Sequence, residues 1–158
     1  MLFLRKDHLN GKDFNVNTDP IEDRKIIDTL NSVKTIALIG ASSKPERDSY
    51  KVMAFLLDNG YKVFPINPLL AGENILGCKV YACIADVPKP IDMLDVFRQS
   101  QYLYDIVLEA KQAAIPIIWT QLGVTDVKAE AFALDNDISM IVNRCPAIEI
   151  PRLNIRLA

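Results

Sequence analysis

Short apolar runs alternate with helical stripes from Thr35 onward, and this alternation narrows the fold more than any other feature of the chain. "KTIALIG" is a β-branched and aliphatic run ended by glycine, the pattern of a strand covered on both faces of a parallel sheet. The spacing then predicts a helix from about Ser49 to Asn59, with Val52, Phe55 and Leu56 on one stripe and Gly60 as its left-handed stop. "YKVFPINP" follows as a second strand and "DMLDVFR" as another. A helix is expected from Gln101 to Ala114, with Leu103, Ile106, Val107 and Ala110 turned inward. "IPIIWTQLG", a helix from Asp126 to Asn136 and the strand "ISMIVNRCP" complete the series, leaving "AIEIPRLNIRLA" as a tail. A shorter strand, "KVYA", is placed at an edge after the turn-rich "NPLLAGENILG".

Parallel neighbours need crossovers, and those crossovers are right-handed. The expected fold is therefore α/β, a Rossmann-like open parallel sheet with helices on both faces. In such a sheet the ligand crevice lies outside the carboxyl ends of the strands where their order reverses, here between "KTIALIG" and "DMLDVFR". An N-terminal helix precedes the sheet. "TDPIEDRKIIDTLNSV" has Asp19 as N-cap, Pro20 at the first helical position, Glu22 placed to close a capping box, and Ile26, Ile27 and Leu30 on one face. At 158 residues and 50% hydrophobic, the chain suits one core, read as an arm and helix over residues 1–34 and the main domain with its tail over residues 35–158.

The net charge of -2 and scattered lysines and arginines leave no nucleic-acid footprint. No apolar stretch approaches the roughly 20 residues of a membrane helix, and Met1 to Leu4 is too short for a signal-peptide core, so a cytoplasmic protein without a membrane partner is expected. Cys78, Cys83 and Cys145 lack metal-ligand spacing with the single histidine, His8, and read as free thiols with no metal.

"GASSKPERDSY" is the first strand-to-helix turn, and it carries only Gly40 where a dinucleotide fold would show three glycines. It still suits a pyrophosphate. Gly40 permits a tight turn, Ala41, Ser42 and Ser43 present amides and hydroxyls, the amides around Ser49 and Tyr50 open a helix, and Lys44 and Arg47 add positive charge. An ordinary connection with solvated basic residues stays open on composition alone. At the end of the second strand, Asn67 and Pro68 stand where NAD folds usually place an acid for the ribose. A neutral Asn67 does not repel a phosphorylated ribose, which favours an adenosine carrying an extra phosphate.

Further loops meet the same edge. Phe97, Trp119 and Leu122 are candidates to line a narrow apolar track, with Arg98, Ser100 and Gln121 as polar contacts along it. Core packing is the simpler reading of Trp119, and Ser100 is also placed to N-cap its helix.

"ALIGASSKPERDSYKV", "YKVFPINPLLAGENILGCKVY", "DMLDVFRQS", "IIWTQLG" and "NRCPAIEIPRL" together resemble the small stand-alone CoA-binding domain proteins, relatives of the N-terminal CoA-binding domain of the succinyl-CoA ligase α subunit. The resemblance covers roughly Thr35 to Leu153. It implies CoA or acyl-CoA as the ligand, with the pyrophosphate at Gly40 to Ser42 and the following helix start. Asn67 and Pro68 would then lie near the adenosine, Phe97, Arg98 and Ser100 near the middle of the ligand, and Gln121 and Gly123 at the pantetheine end. Family members carry Asn-Pro-Lys where this chain has Asn67, Pro68 and Leu69, so a lysine able to meet the ribose phosphate is absent.

The ligase reaction needs a phosphohistidine relay and a nucleotide-grasping partner, and is not expected of this chain alone, whose His8 precedes the fold. No serine, histidine and acid set assembles at the crevice. Asp92 and Asp95, three apart, point to opposite strand faces and are read as strand-end or helix-contact groups. Cys145 is the one reactive candidate, with Arg144 beside it to favour a thiolate near the CoA sulfur; a buried inert thiol beside a proline turn is preferred. The favoured function is a non-catalytic CoA-binding module. The alternative is an enzyme, either nicotinamide-dependent or an acyl-CoA-processing subunit whose partner supplies the missing groups. A protein partner, where there is one, is expected to be a second copy of the chain or an enzyme subunit.

Overall fold

The computed structural model describes residues 19–157, so His8 and the polar arm of residues 1–18 lie outside the described residues. The first helix, α1, spans Pro20–Ser32, and the Asp19 carboxylate accepts a hydrogen bond from the Ile21 amide at 3.0 Å. Glu22 does not close the expected capping box. It pairs with Arg144 at 3.0 Å, because a mostly buried guanidinium attracts a carboxylate more strongly than a solvated backbone amide does.

Seven strands and four more helices follow in chain order: β1 (Thr35–Ile39), α2 (Asp48–Asp58), β2 (Lys62–Ile66), β3 (Asn74–Ile75), β4 (Cys78–Lys79), β5 (Met93–Val96), α3 (Leu103–Gln112), β6 (Ile117–Thr120), α4 (Val127–Asp135), β7 (Ser139–Ile141) and α5 (Pro146–Arg152). Five strands form a parallel sheet in the order β2-β1-β5-β6-β7. Ile39 lies level with Ile66 and Val96, and Val96 with Thr120, so the strand exits are aligned. Pro65 is tolerated because β2 is an edge strand; its carbonyl faces outward and accepts from the Tyr81 amide.

Successive strand residues supply opposite faces, and both faces are covered, which is why these strands are mostly apolar. Leu38, Met93, Trp119 and Ile141 pack with Ile26 and Leu30 of α1, Val52, Met53 and Leu56 of α2, and Ile148 and Ile150 of α5. Ala37, Leu94, Val96 and Ile118 pack with Leu103, Ile106, Val107 and Ala110 of α3 and with Ala129 and Ala133 of α4. The Rossmann-like sheet with helices on both faces is therefore the fold, and the leading helix shares its core.

Three local expectations are corrected. The tail "AIEIPRLNIRLA" contains a helix, α5, started by Pro146 at its first position, where the missing amide costs nothing. "KVYA" does not join the main sheet as a strand. Cys78 and Lys79 pair with β3 in a separate hairpin, and only Tyr81 bridges the sheet edge at Ile66. The helix expected from Gln101 begins as a tight 3-10 turn, Ser100–Tyr102, and is α-helical only over Leu103–Gln112. Among the described residues no helix is long and apolar enough to cross a membrane. An open groove of about 440 Å³ beside β7, lined by Lys25, Leu134, Met140 and Val142, lies two strands away from the reversal of strand order.

Candidate functional site

The chain leaves β1 for β2 on one side and later returns to β5 on the other, so the order reverses between β1 and β5. The crevice at their carboxyl ends is bounded by residues 40–47, by the turn after β2, and by the loops after β5, β6 and β7.

Gly40 turns the chain with φ +89°, and the amides of Gly40 and Ala41 both donate to the Ile66 carbonyl at 3.1 and 3.2 Å. A β-carbon on Gly40 would lie 2.5 Å from the Phe97 carbonyl oxygen, so glycine is required here by the exit of β5. Beyond buried Ala41 the loop is open. Ser42 is half-buried and its hydroxyl accepts from the Lys44 amide at 3.1 Å, while Lys44 and Arg47 are exposed. Arg47 occupies the N-cap of α2 without a side-chain cap, which leaves the first-turn amides around buried Ser49 and half-buried Tyr50 for another acceptor.

Asn67 is committed within the protein. Its Nδ2 donates to the Ala41 carbonyl at 2.8 Å and its Oδ1 accepts from the Leu69 amide at 2.9 Å, so it ties the β1–α2 loop to the tight turn Pro68–Leu70. Leu69, where the resembled family has lysine, is 90% exposed. After β5, Phe97 is half-buried and Arg98 lies over the Tyr102 ring at 4.3 Å. Ser100 does not cap its helix: its hydroxyl donates to the Gly123 carbonyl at 3.2 Å and accepts from the Thr125 amide at 3.0 Å. That loop is further held by Thr120, whose hydroxyl donates to the Val124 carbonyl, and by Asn143, whose Oδ1 accepts from the Gly123 amide. The expected residues thus meet along one edge, but Asn67 and Ser100 spend their polar groups on shaping it.

Trp119 does not line the track. It is fully buried and its indole donates to the Arg144 carbonyl at 2.7 Å. Leu122 is half-buried beside the same core. Gln121 is buried, and its Nε2 donates to Asp95 Oδ1 at 2.5 Å rather than facing open solvent.

Asp95, expected as a strand-end or helix-contact group, is instead a buried acid whose described partner is Gln121. It sits on the strand beside β1, fully buried, and burial pushes its carboxyl up to about 7 against the one hydrogen bond from Gln121. Its Oδ2 has no partner among the described residues. The available signal was an acid inside an otherwise apolar run, "MLDVF". Asp92 behaves as expected of a strand-end group: its Oδ2 accepts from the Lys34 and Thr35 amides at 2.8 and 3.1 Å.

Cys145 is the preferred buried thiol, and the thiolate expectation is overturned. The residue is 1% exposed, and burial together with the Asp95 carboxylate pushes the thiol up to about 12. Arg144 turns away to Glu22 and Glu149 at 3.0 and 3.4 Å.

A family described as the CoA binding domain matches residues 34–151. The chain is 30% identical over 121 residues to the uncharacterized protein YneT of Bacillus subtilis, covering 77% of this chain and 88% of that protein. It is 29% identical over 97 residues to the α subunit of ADP-forming acetate–CoA ligase I of Pyrococcus furiosus, covering 58% of this chain and 21% of that subunit, so it corresponds to a minor part of the ligase. Among solved structures, a hypothetical protein from Pyrococcus horikoshii OT3 is similar with a TM-score of 0.81 and 35% identity, covering 87% of this chain and 98% of that one. The cell-free ID.343 protein from Thermus thermophilus gives 0.79 and 33%, covering 83% and 98%. Because the matched region runs from the residue before β1 into α5, and so includes every loop of the crevice, the chain belongs to the CoA-binding domain family.

Proposed function

We propose that the protein binds CoA or acyl-CoA in the crevice between β1 and β5 as a non-catalytic, cytoplasmic module. The observation that carries the reading is the uncapped start of α2 at the reversal of strand order, in a chain of this family. The amides around Ser49 and Tyr50, with Gly40, Ala41 and Ser42, would receive the pyrophosphate, and Lys44 and Arg47 supply positive charge at its rim. Asn67 and Pro68 would border the adenosine, Phe97, Arg98 and Ser100 the arm, and Gln121 and Gly123 its far end.

The likeness to a ligase α subunit favours a second reading, in which a partner subunit adds chemistry to this module. Calorimetric titration of ligand-stripped protein with CoA, dephospho-CoA and NAD tests the main one. CoA is expected to bind and NAD to fail. Binding of NAD in preference to CoA, or of neither, overturns the proposal.

A further inference from the structure

Asp95 is the buried polar side chain of the crevice that the fold leaves half satisfied. Gln121 Nε2 donates to Oδ1 at 2.5 Å, while Oδ2 is the buried side-chain atom without a partner among the described residues. An unmade hydrogen bond on a buried polar group costs about 1–3 kcal/mol, and more where the group is ionised, so a partner for this oxygen would be favourable. The position is specific. In register, Asp95 lies between Leu38 of β1 and Trp119 of β6, on the face covered by α2 and α5. Phe97, two residues on along the same face, and Leu122, next to Gln121, are half-buried members of that cluster and form the lining an entering chain would displace.

Among the described residues no ion pair to Asp95 is seen. The Cys145 thiol at the start of α5, among the described residues, feels the charge of Asp95 and, from the start of α2, that of Asp48. The charged groups of the α5 segment, Arg144 and Glu149, pair with each other and with Glu22 and Arg152. A phosphate would therefore be repelled from this point and held at the rim with Lys44 and Arg47, whereas an uncharged hydrogen-bond donor would satisfy the open oxygen.

We propose that Asp95 is a ligand-contacting residue whose Oδ2 accepts a hydrogen bond from a donor, amide N–H or thiol S–H, at the distal cysteamine end of the CoA arm. The inference rests on the CoA reading above and orients the ligand within it, phosphates at the start of α2 and arm tip at β5.

The test titrates the full chain and its Asp95→Asn variant with CoA and with adenosine 3′,5′-bisphosphate, which lacks the arm. In the variant an amide donor meets the arm's donor, so CoA is expected to weaken at least about tenfold while the bisphosphate binds as before. Unchanged CoA affinity, or equal losses for both ligands, overturns the proposal. Wild-type protein that takes up neither ligand removes the CoA reading and this proposal together. Should the variant fail to fold, the wild type alone decides by proton release, measured near pH 7 in two buffers of different ionisation enthalpy. A donor on Oδ2 favours the ionised carboxylate, so CoA is expected to release more protons than the bisphosphate; equal release overturns the assignment.

Discussion

Gly40 faces the carbonyl oxygen of Phe97 so closely that a β-carbon would come within 2.5 Å of it, with the Phe97 carbonyl carbon at 2.9 Å. Both contacts are to backbone at the exit of a central strand, which has little freedom to yield. The first strand-to-helix loop is thus moulded by the neighbouring strand before any ligand arrives.

Gly40→Ala is therefore expected to destabilise the fold by about 2–4 kcal/mol, from the clash and from a side chain forced to φ +89°. Urea denaturation checks this, and a midpoint equal to wild type would show that the close approach is not a constraint. Gly123, also at positive φ but with open space around its α-carbon, should cost less on the same substitution.

Asp95 sets an unusual pH dependence. Its folded-state carboxyl titrates at about 7 against an ordinary value of 3.8, so the folded state holds a proton that the unfolded chain has released between those values. The stability tied to Asp95 is complete below about pH 4 and is lost as pH rises through about 7, on the order of a few kcal/mol. Asp95→Asn should remove that decline. Guanidinium unfolding at intervals from pH 4 to 8 compares the two, and a wild-type minus variant difference that stays constant with pH would contradict the account.

The link between α1 and α5 runs the other way with pH. Arg152 bonds Asp23 at 2.5 Å and Glu149 at 2.6 Å, and the hydrogen bond from Arg152 holds the Asp23 carboxyl below its ordinary value of 3.8. This contribution is present above about pH 4 and lost as pH falls below it. Arg152→Met should cost about 2–3 kcal/mol at pH 7, because buried Glu149 is left with Arg144 alone, and should shrink the loss of stability in acid. The measurement is thermal or urea unfolding at pH 7 and pH 3; a variant as stable as wild type at pH 7 would show the network to be energetically idle.

Leu69 offers a gain-of-function test of the ligand's orientation. It is 90% exposed in the turn after β2, so Leu69→Lys should fold normally. An exposed charge pair contributes about 0.2–1 kcal/mol, so CoA should tighten by roughly 1.5- to 5-fold at low salt while dephospho-CoA is unchanged. Equal tightening for both ligands would place the ribose phosphate elsewhere.

The elements of the main sheet are readable because each strand is a short, mostly apolar run and each crossover helix shows its own stripe. The errors fall where a distant group intervenes. Glu22 has the spacing to close a capping box and instead serves Arg144; Ser100 is placed to N-cap its helix and instead serves the loop of Gly123 and Thr125. Gln121, a candidate for the track by its position at a strand end, turns inward to Asp95, while Trp119 packs in the core, the simpler of its two readings. Asp95 reads from the sequence only as a strand-end or helix-contact group, because an acid in a strand is interpretable only once both its faces and its neighbours are known.

By itself, the amino-acid sequence determined the α/β class, the order of strands and crossovers along the chain, and the edge at which the crevice of such a sheet opens, since burial periodicity, turn residues and crossover handedness are local or topological. Only the tertiary structure decided that Phe97 makes Gly40 obligatory, that Asn67 anchors the loop at Ala41, and that Gln121 meets just one oxygen of Asp95. Those outcomes depend on strand order and register, which bring together backbone and side chains far apart in the chain, and on the burial that turns an ordinary carboxyl into one that titrates near neutrality.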